Sequence, residues 1–391
     1  MSRNTNIDAQ RGLAIIAVVQ HHLLSKSGAY ETLGLPKVVC DVLDFGWAGV
    51  DLFFVLSAYL LTANLLRHRD APGVVTAFYK RRALRILPLY WLLIGTGFAL
   101  HAGWRATGGT DDVALWYNEY PLWVYLAFLQ NWVAGLKVVW VALFYAPTWS
   151  LAVEEHFYLV LPWLVLWLPN RRLALVAGVA ILAAPLIRVG LDSYVNANAA
   201  YAWSISRIDA FGWGILLALA PTLWPRWLAA VKARWAVGAA SSLAIAMACV
   251  PSLIGASETS HSPSGLALTV TALIAALATL AAMTLRAAGP PTIFAPVRLA
   301  LVWCGERCYS LYLLHMPVLG LIFLAFGALD PRVTNASGVV LAVLALVLTV
   351  TLADVTYRHI EQPFMALAER MTPYRASGVA KTSATTTATA A

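Results

Sequence analysis

Long apolar runs, each bounded or interrupted by a few polar residues, set the pattern of this chain. The first, 7–24, reads IDAQRGLAIIAVVQHHLL and is long enough for a membrane-spanning helix. Later runs predict spans near 46–66, 86–101, 149–168, 172–189, 206–221, 235–252, 266–286, 308–327 and 338–357. Residues 121–146 break the pattern. They are apolar and rich in tryptophan but interrupted by Gln130, Asn131, Gly135 and Lys137. They read as a re-entrant or interfacial segment in which Trp123, Trp132 and Trp140 suit the headgroup level. The fold class expected is an all-α polytopic membrane protein of about ten transmembrane helices with this one irregular segment.

Composition supports that reading. A 391-residue chain with 60% hydrophobic and 12% charged residues and a mean hydropathy of +0.72 carries more apolar surface than a soluble domain can hide. The net charge of +8 sits in short loops between spans, where it acts as a topology signal and not as a nucleic-acid footprint. Arg67, Arg69, Lys80, Arg81, Arg82 and Arg85 mark one cytoplasmic loop. With both termini inside, only Lys26, Lys37, Arg105, Lys137, Arg188, Arg207 and Arg332 fall outside, leaving 20 of the 27 basic residues on the cytoplasmic side. The first apolar run lacks a small-residue cleavage site and is expected to be retained. Cys40, Cys249, Cys304 and Cys308 lack metal-site spacing and read as packing residues. No metal is implied. Residues 365–391 form a cytoplasmic tail rich in Ser, Thr and Ala that is expected to be largely disordered.

Polar residues inside lipid-facing runs are costly, so those in the first helix stand out. Eleven residues separate Arg11 from His22, which turns an α-helix through about 1100°, roughly 20° past three full turns; His21 ends roughly 80° short. Arg11, His22 and, within about 40°, Asp8 therefore share one stripe, with Arg11 and His22 roughly 16 Å apart along the axis. Asp51, Glu154, Glu155, Arg207 and Asp209 sit near the outer starts of their own helices and could meet His22 in one polar chamber. At the opposite mouth, Arg82 and Arg85 lie three apart at a helix start and point the same way, beside Arg11. Guanidinium groups there suit phosphates, although positive-inside anchoring explains the same cluster. His315 is either a second polar ligand or a packed ring. His68, His101 and His359 look interfacial.

The motifs that carry these residues resemble the membrane acyltransferase 3 family of bacterial O-acyltransferases. The arginine, ten residues and histidine of IDAQRGLAIIAVVQHH map to Arg11 and His22. GVDLFFVLSAYLLT (49–62) is similar to the second-helix motif, FYKRRALRILPLYW (78–91) to the paired-arginine motif, and TWSLAVEEHFYLVLPW (148–163) to the helix-four motif. RIDAFGWGILLA (207–218), ERCYSLYLLHMPV (306–318) and YRHIEQPF (357–364) follow in the family's order. Ala58, Ala9–Gln10, His156 and Gln362 depart from the usual pattern. The family often carries a further extracytoplasmic esterase-like domain, which this sequence does not include, so a second transfer step is expected to need another protein.

The resemblance implies a membrane acyltransferase domain over 1–364. The donor is acetyl-CoA or another acyl-CoA, and the acceptor is a hydroxyl of a carbohydrate or glycosylated small molecule. It implies Arg11, Arg82 and Arg85 as the CoA-binding set and His22 as general base, with Asp51, Glu154 or Glu155 orienting the ring or the acceptor hydroxyl. Trp149, Tyr158, Arg207, Asp209, Tyr309 and His315, which lie in the matched motifs, are the candidates for substrate contact. Membrane lipid is the surrounding partner, and oligomeric state is not legible. A secondary transporter using the same intramembrane charges is the rival class, but it gives no reason for paired arginines at a cytoplasmic helix start.

Overall fold

The structure, a computed structural model, describes residues 4–137, 141–232, 234–241, 244, 265–285 and 295–372. Among them the regular structure is helical throughout. The longer helices are α1 (Thr5–Gln20), α2 (Gly49–Arg67), α3 (Val74–Ala106), α4 (Thr148–Trp167), α5 (Asn170–Tyr194), α6 (Ile208–Leu223), α7 (Gly265–Thr284), α8 (Ala295–Glu306), α9 (Cys308–Ala325), α10 (Ala336–Thr356) and α11 (Gln362–Met371). The expected span 235–252 falls mostly outside the described residues, as does the tail beyond 372; the tail's opening residues, 365–371, continue α11.

Six helical stretches among the described residues are long and apolar enough to cross a membrane: Lys37–Arg67, Val74–Ala106, Asn170–Tyr194, Gly265–Thr284, Cys308–Ala325 and Ala336–Met371. The expected spans missing from that set are informative. Helix α4 carries Glu154, Glu155 and His156 in its middle, α1 carries Asp8 and Arg11, and α6 is 16 residues long. Polar residues dilute the apolar character of α1 and α4, whereas α6 is apolar but short. Lipid-facing character is plainest on α5, where Leu175, Leu182, Leu186 and Val189 are all exposed, an arrangement that suits hydrocarbon and not water.

Helix α1 runs against α8 with backbones nearly touching: a Cβ at Gly12 would lie 1.8 Å from the Leu301 carbonyl oxygen, and one at Gly305 1.9 Å from that of Asp8. Helix α2 meets α6 in the same way, with Gly214 facing the fully buried Ala58. Ala58 stands where relatives are expected to have glycine, and Gly214 supplies the space its methyl group needs. Helix α3 is clasped at its start by the chain's last described residue, where Arg81 Nε donates to Thr372 Oγ1 at 2.8 Å. At its other end His101 bridges Asp111 (2.8 Å) and Glu119 (2.5 Å). That hydrogen bond from His101 holds the Asp111 carboxyl below its usual range.

Residues 121–146 form no continuous helix. Leu122–Leu126 and Gln130–Leu136 are short helices joined through Phe128, which takes a positive φ of 55°, and Leu143–Tyr145 is a 3₁₀ turn. Their polar groups are spent inward: Gln130 and Asn131 are fully buried and donate to Thr148 O and Ala202 O.

Candidate active site

Arg11 on α1 and Arg82 and Arg85 on α3 line a partly open cleft. Facing them are Glu154 and Tyr158 on α4 and Cys308 and Tyr309 on α9, and the cleft also reaches Ser57, Ser150 and Tyr312. The three-residue spacing turns Arg82 and Arg85 to one face. Arg82 lies over the Tyr158 ring at 5.9 Å, Arg85 Nη1 donates to Met365 Sδ at 3.4 Å, and Arg11 Nη2 donates to Cys308 Sγ at 3.0 Å. Asp8 is 4.0 Å from Arg11, and among the described residues neither Arg82 nor Arg85 has a carboxylate within 4.0 Å. Three guanidinium groups in a cleft lined by one carboxylate, Glu154, leave positive charge in excess and suit an anionic ligand, because paired N–H donors fit phosphate oxygens.

A short relay of hydroxyls crosses the cleft. Tyr158 donates to Glu154 Oε2 at 2.6 Å, so the 2.8 Å contact between Ser57 Oγ and Tyr158 Oη has Ser57 as donor. Further in, the hydroxyls of Ser150 and Tyr312 meet at 2.5 Å. His22 is not among the residues that line the cleft. It lies beyond Tyr312, through His315: the Tyr312 and His315 rings are 5.7 Å apart and those of His315 and His22 5.1 Å. His315 Nε2 is 3.3 Å from His22 Nδ1, which is also 3.0 Å from the Val18 carbonyl oxygen.

The helix arithmetic for His22 needs one amendment. The α-helical part of α1 ends at Gln20, and residues His21–Ser25 form a π turn. Wider i→i+5 winding re-aims the side chains that follow, and such turns recur at functional sites. His21 is turned elsewhere, its Nδ1 2.9 Å from Asp44 Oδ1.

The other acidic and basic residues expected near His22 form a separate, sealed layer. Arg207 Nη1 donates to Asp51 Oδ1 at 3.1 Å, and Thr271 Oγ1 donates to Asp51 Oδ2 at 3.0 Å. Arg207 is stacked over Tyr201 (4.6 Å) and Trp149 (5.6 Å). Asp209 is taken by Arg188, with bonds of 3.1 and 2.7 Å. Asp51, Arg188, Arg207 and Asp209 are all within 2% of full burial, and neither they nor Trp149 line the cleft. Glu155 points away from Glu154, as the 100° step between neighbours requires, and does not line the cleft either.

Ser57, Ser150, Tyr312 and Arg188 were not singled out by the sequence. Tyr312 precedes His315 by three positions and Ser150 precedes Glu154 by four, spacings that share a helix face. Arg188 sits at the end of an apolar run and passes for an exposed loop residue until Asp209 is seen beside it. Among the described residues no cluster of three His, Cys, Asp or Glu side chains is arranged to hold a metal ion.

Comparison with known proteins adds to this geometry. The model of the acyltransferase domain family named Acyl_transf_3 matches residues 4–358. The peptidoglycan O-acetyltransferase OatA of Listeria monocytogenes is 26% identical over 385 residues, covering 92% of this chain and 55% of that protein. The O-acetyltransferase OatA of Staphylococcus aureus is 24% identical over 381 residues, covering 91% of this chain and 56% of that one. The chain thus spans about half the length of these curated relatives. No solved structure matches it significantly.

Proposed function

The chain belongs to the acyltransferase 3 family, and from that premise we propose that it is an integral membrane O-acyltransferase. It takes an acyl group, acetyl in the first instance, from acyl-CoA and passes it to a hydroxyl of a carbohydrate or glycosylated small molecule. The observation that carries the reading is the cleft in which Arg11, Arg82 and Arg85 converge with Glu154 as the one carboxylate in its lining. Phosphates of CoA answer that charge, and the pantetheine arm then runs past Tyr158 and Glu154 toward Tyr312 and Ser150. The peptidoglycan named for the Listeria relative makes a surface glycan the first acceptor to try.

Beyond Tyr312, past the end of the cleft, His22 takes the proton of the acceptor hydroxyl as its oxygen attacks the thioester carbonyl. The C–S bond then breaks, and the departing thiolate recovers the proton. General-base help of this kind is worth about 10²–10⁴-fold. Asp51 has both oxygens committed to Arg207 and Thr271, so its part is to fix α2 against α6 and α7. The transporter alternative draws no support from the relatives' names, all of which denote acyl transfer.

The proposed setting is the cell membrane, with about ten spans, 121–146 re-entrant, and both termini and the 365–391 tail cytoplasmic, so that the arginine mouth faces cytoplasmic acyl-CoA. The paired short helices broken at Phe128 and the inward-facing Gln130 and Asn131 support the re-entrant segment.

The test is purified protein in lipid nanodiscs with radiolabelled acetyl-CoA, read by thiol release and by label on added glycan. Acceptor-dependent thiol release is expected. Protein that neither binds nor turns over acetyl-CoA would overturn the reading. A cysteine label at Asp111 should react from outside and one at Arg226 only from inside; the same side for both would sink the topology.

A further inference from the structure

We infer that His315 is the positioning residue that sets the tautomer of His22, doing with a neutral imidazole what a carboxylate does in most base-orienting pairs. The inference rests on the reading of His22 as the general base and assigns the part that Asp51 and Glu155 are not placed to play.

The argument is one of donors and acceptors. A carbonyl oxygen only accepts, so a ring nitrogen facing one carries the proton. His315 Nδ1 lies 2.7 Å from the Tyr312 carbonyl oxygen; Nδ1–H therefore donates there, and Nε2 of the neutral ring is a bare acceptor. That acceptor faces His22 Nδ1 at 3.3 Å, and the Val18 carbonyl oxygen faces the same nitrogen at 3.0 Å. Two acceptors converge on one nitrogen of His22, which must be N–H. The other nitrogen, Nε2, is left with its lone pair, the form that can take a proton.

The backbone makes this arrangement rigid. His315 is fully buried on α9, and its carbonyl partner belongs to its own helix one turn back. His22 sits in the π turn, and the carbonyl it addresses, that of Val18, lies four residues back on α1. When His22 Nε2 takes the acceptor's proton, the positive charge on the ring is shared through Nδ1–H with the lone pair of His315 Nε2. When the thiolate takes that proton back, the pair returns to its starting tautomers, and His315 neither gains nor loses a proton over the cycle. The other titratable groups facing His22 are His21, with ring centroids 4.9 Å apart, and Lys26.

The experiment compares His315→Leu, His315→Gln and His22→Ala in nanodiscs, with acetyl-CoA as donor. Without His315 the preference for Nδ1–H falls to the Val18 carbonyl alone. His315→Leu is expected to lower kcat by about 10–100-fold, part of the general-base factor, and to leave the KM for acetyl-CoA unchanged, because His315 does not line the donor cleft. His315→Gln, whose amide oxygen can accept from His22 Nδ1–H, should recover most of the loss. Nitrogen-15 NMR of histidine-labelled protein gives a readout independent of turnover: His22, identified by its absence in His22→Ala, should show protonated Nδ1 and bare Nε2 in the parent and in His315→Gln, and a mixture of tautomers in His315→Leu.

A His315→Leu protein with unchanged kcat and unchanged His22 nitrogen shifts overturns the inference, as does a parent protein whose His22 carries its proton on Nε2. A fully active His22→Ala protein overturns instead the assignment of the base, whatever the His315 variants do. If His315→Leu does not fold, the parent's nitrogen shifts and the His315→Gln kinetics decide the matter.

Discussion

The hydroxyl groups of Tyr312 and Ser150 meet at 2.5 Å, and this contact stands at the inner end of the arginine-lined cleft, one ring short of His315. A thioester entering from the arginine side reaches this pair before it reaches the histidines. On the proposed reading, the two side chains stand between the donor and His22.

Removing the ring should expose the thioester to water without supplying the acceptor. Tyr312→Ala is expected to raise the ratio of CoA released to acyl group transferred several-fold, whereas Tyr312→Phe, which keeps the ring and loses only the bond to Ser150, should stay near the parent ratio. Parallel thiol and product assays measure it. An unchanged ratio in Tyr312→Ala would remove Tyr312 from the path.

The arginines test the donor site. A charge-assisted hydrogen bond is worth about 1.5–3 kcal/mol, so Arg82→Ala or Arg85→Ala should raise the apparent KM for acetyl-CoA roughly ten- to a hundredfold, with yield and melting temperature little altered. Lysine at either position should recover part of it, since an ammonium keeps the charge but not the paired donors. Unchanged KM in both variants would leave only a topological role for the cluster.

What could be read in advance follows from how far each residue's task is local. Arg82 and Arg85 lie one turn apart on one helix, and both line the cleft as their spacing predicts. The separation of His21 from His22 was also legible, although a straight helix ignores the π turn that begins at His21. Pairing between helices was not. Asp51, Arg207 and Asp209 share the outer ends of their spans in sequence, which allows one chamber, yet the folded chain couples Asp51 to Arg207 and Asp209 to Arg188 and closes the layer. Arg188 carries no local signal of burial, since its partner lies on another helix. The count of spans suffers in the same way: a helix such as α4, paid for by its neighbours' polar groups, does not need to be apolar enough to stand alone in lipid.

That sealed layer yields a stability prediction. Truncating one member of a buried ion pair leaves the other charge uncompensated, at a cost of about 3–5 kcal/mol. Asp51→Ala should therefore lose folded yield and thermal stability, and the combined Asp51→Leu, Arg207→Met variant should regain much of both, because isosteric apolar replacement removes both charges. The thermal unfolding of the three proteins in detergent measures this. A stable Asp51→Ala protein with transfer abolished would move Asp51 back to the chemistry.

The two adjacent histidines give the sharpest contrast. His22→Ala should lose about 10²–10⁴-fold in transfer, and His22→Gln should fare no better, since an amide donates and accepts hydrogen bonds but does not take up a proton near neutral pH. His21 makes its polar contact elsewhere, with Asp44 at 2.9 Å, and Ser25 Oγ donates to the same carboxylate oxygen at 2.8 Å. His21→Ala therefore leaves the half-exposed Asp44 carboxylate to Ser25 and water, and it should cost about 1 kcal/mol of stability while keeping turnover within a few-fold of the parent. Initial rates at saturating acetyl-CoA, normalised to folded protein, separate the two. An inactive His21→Ala protein beside an active His22→Ala protein would mean that the π turn delivers the other ring to the thioester.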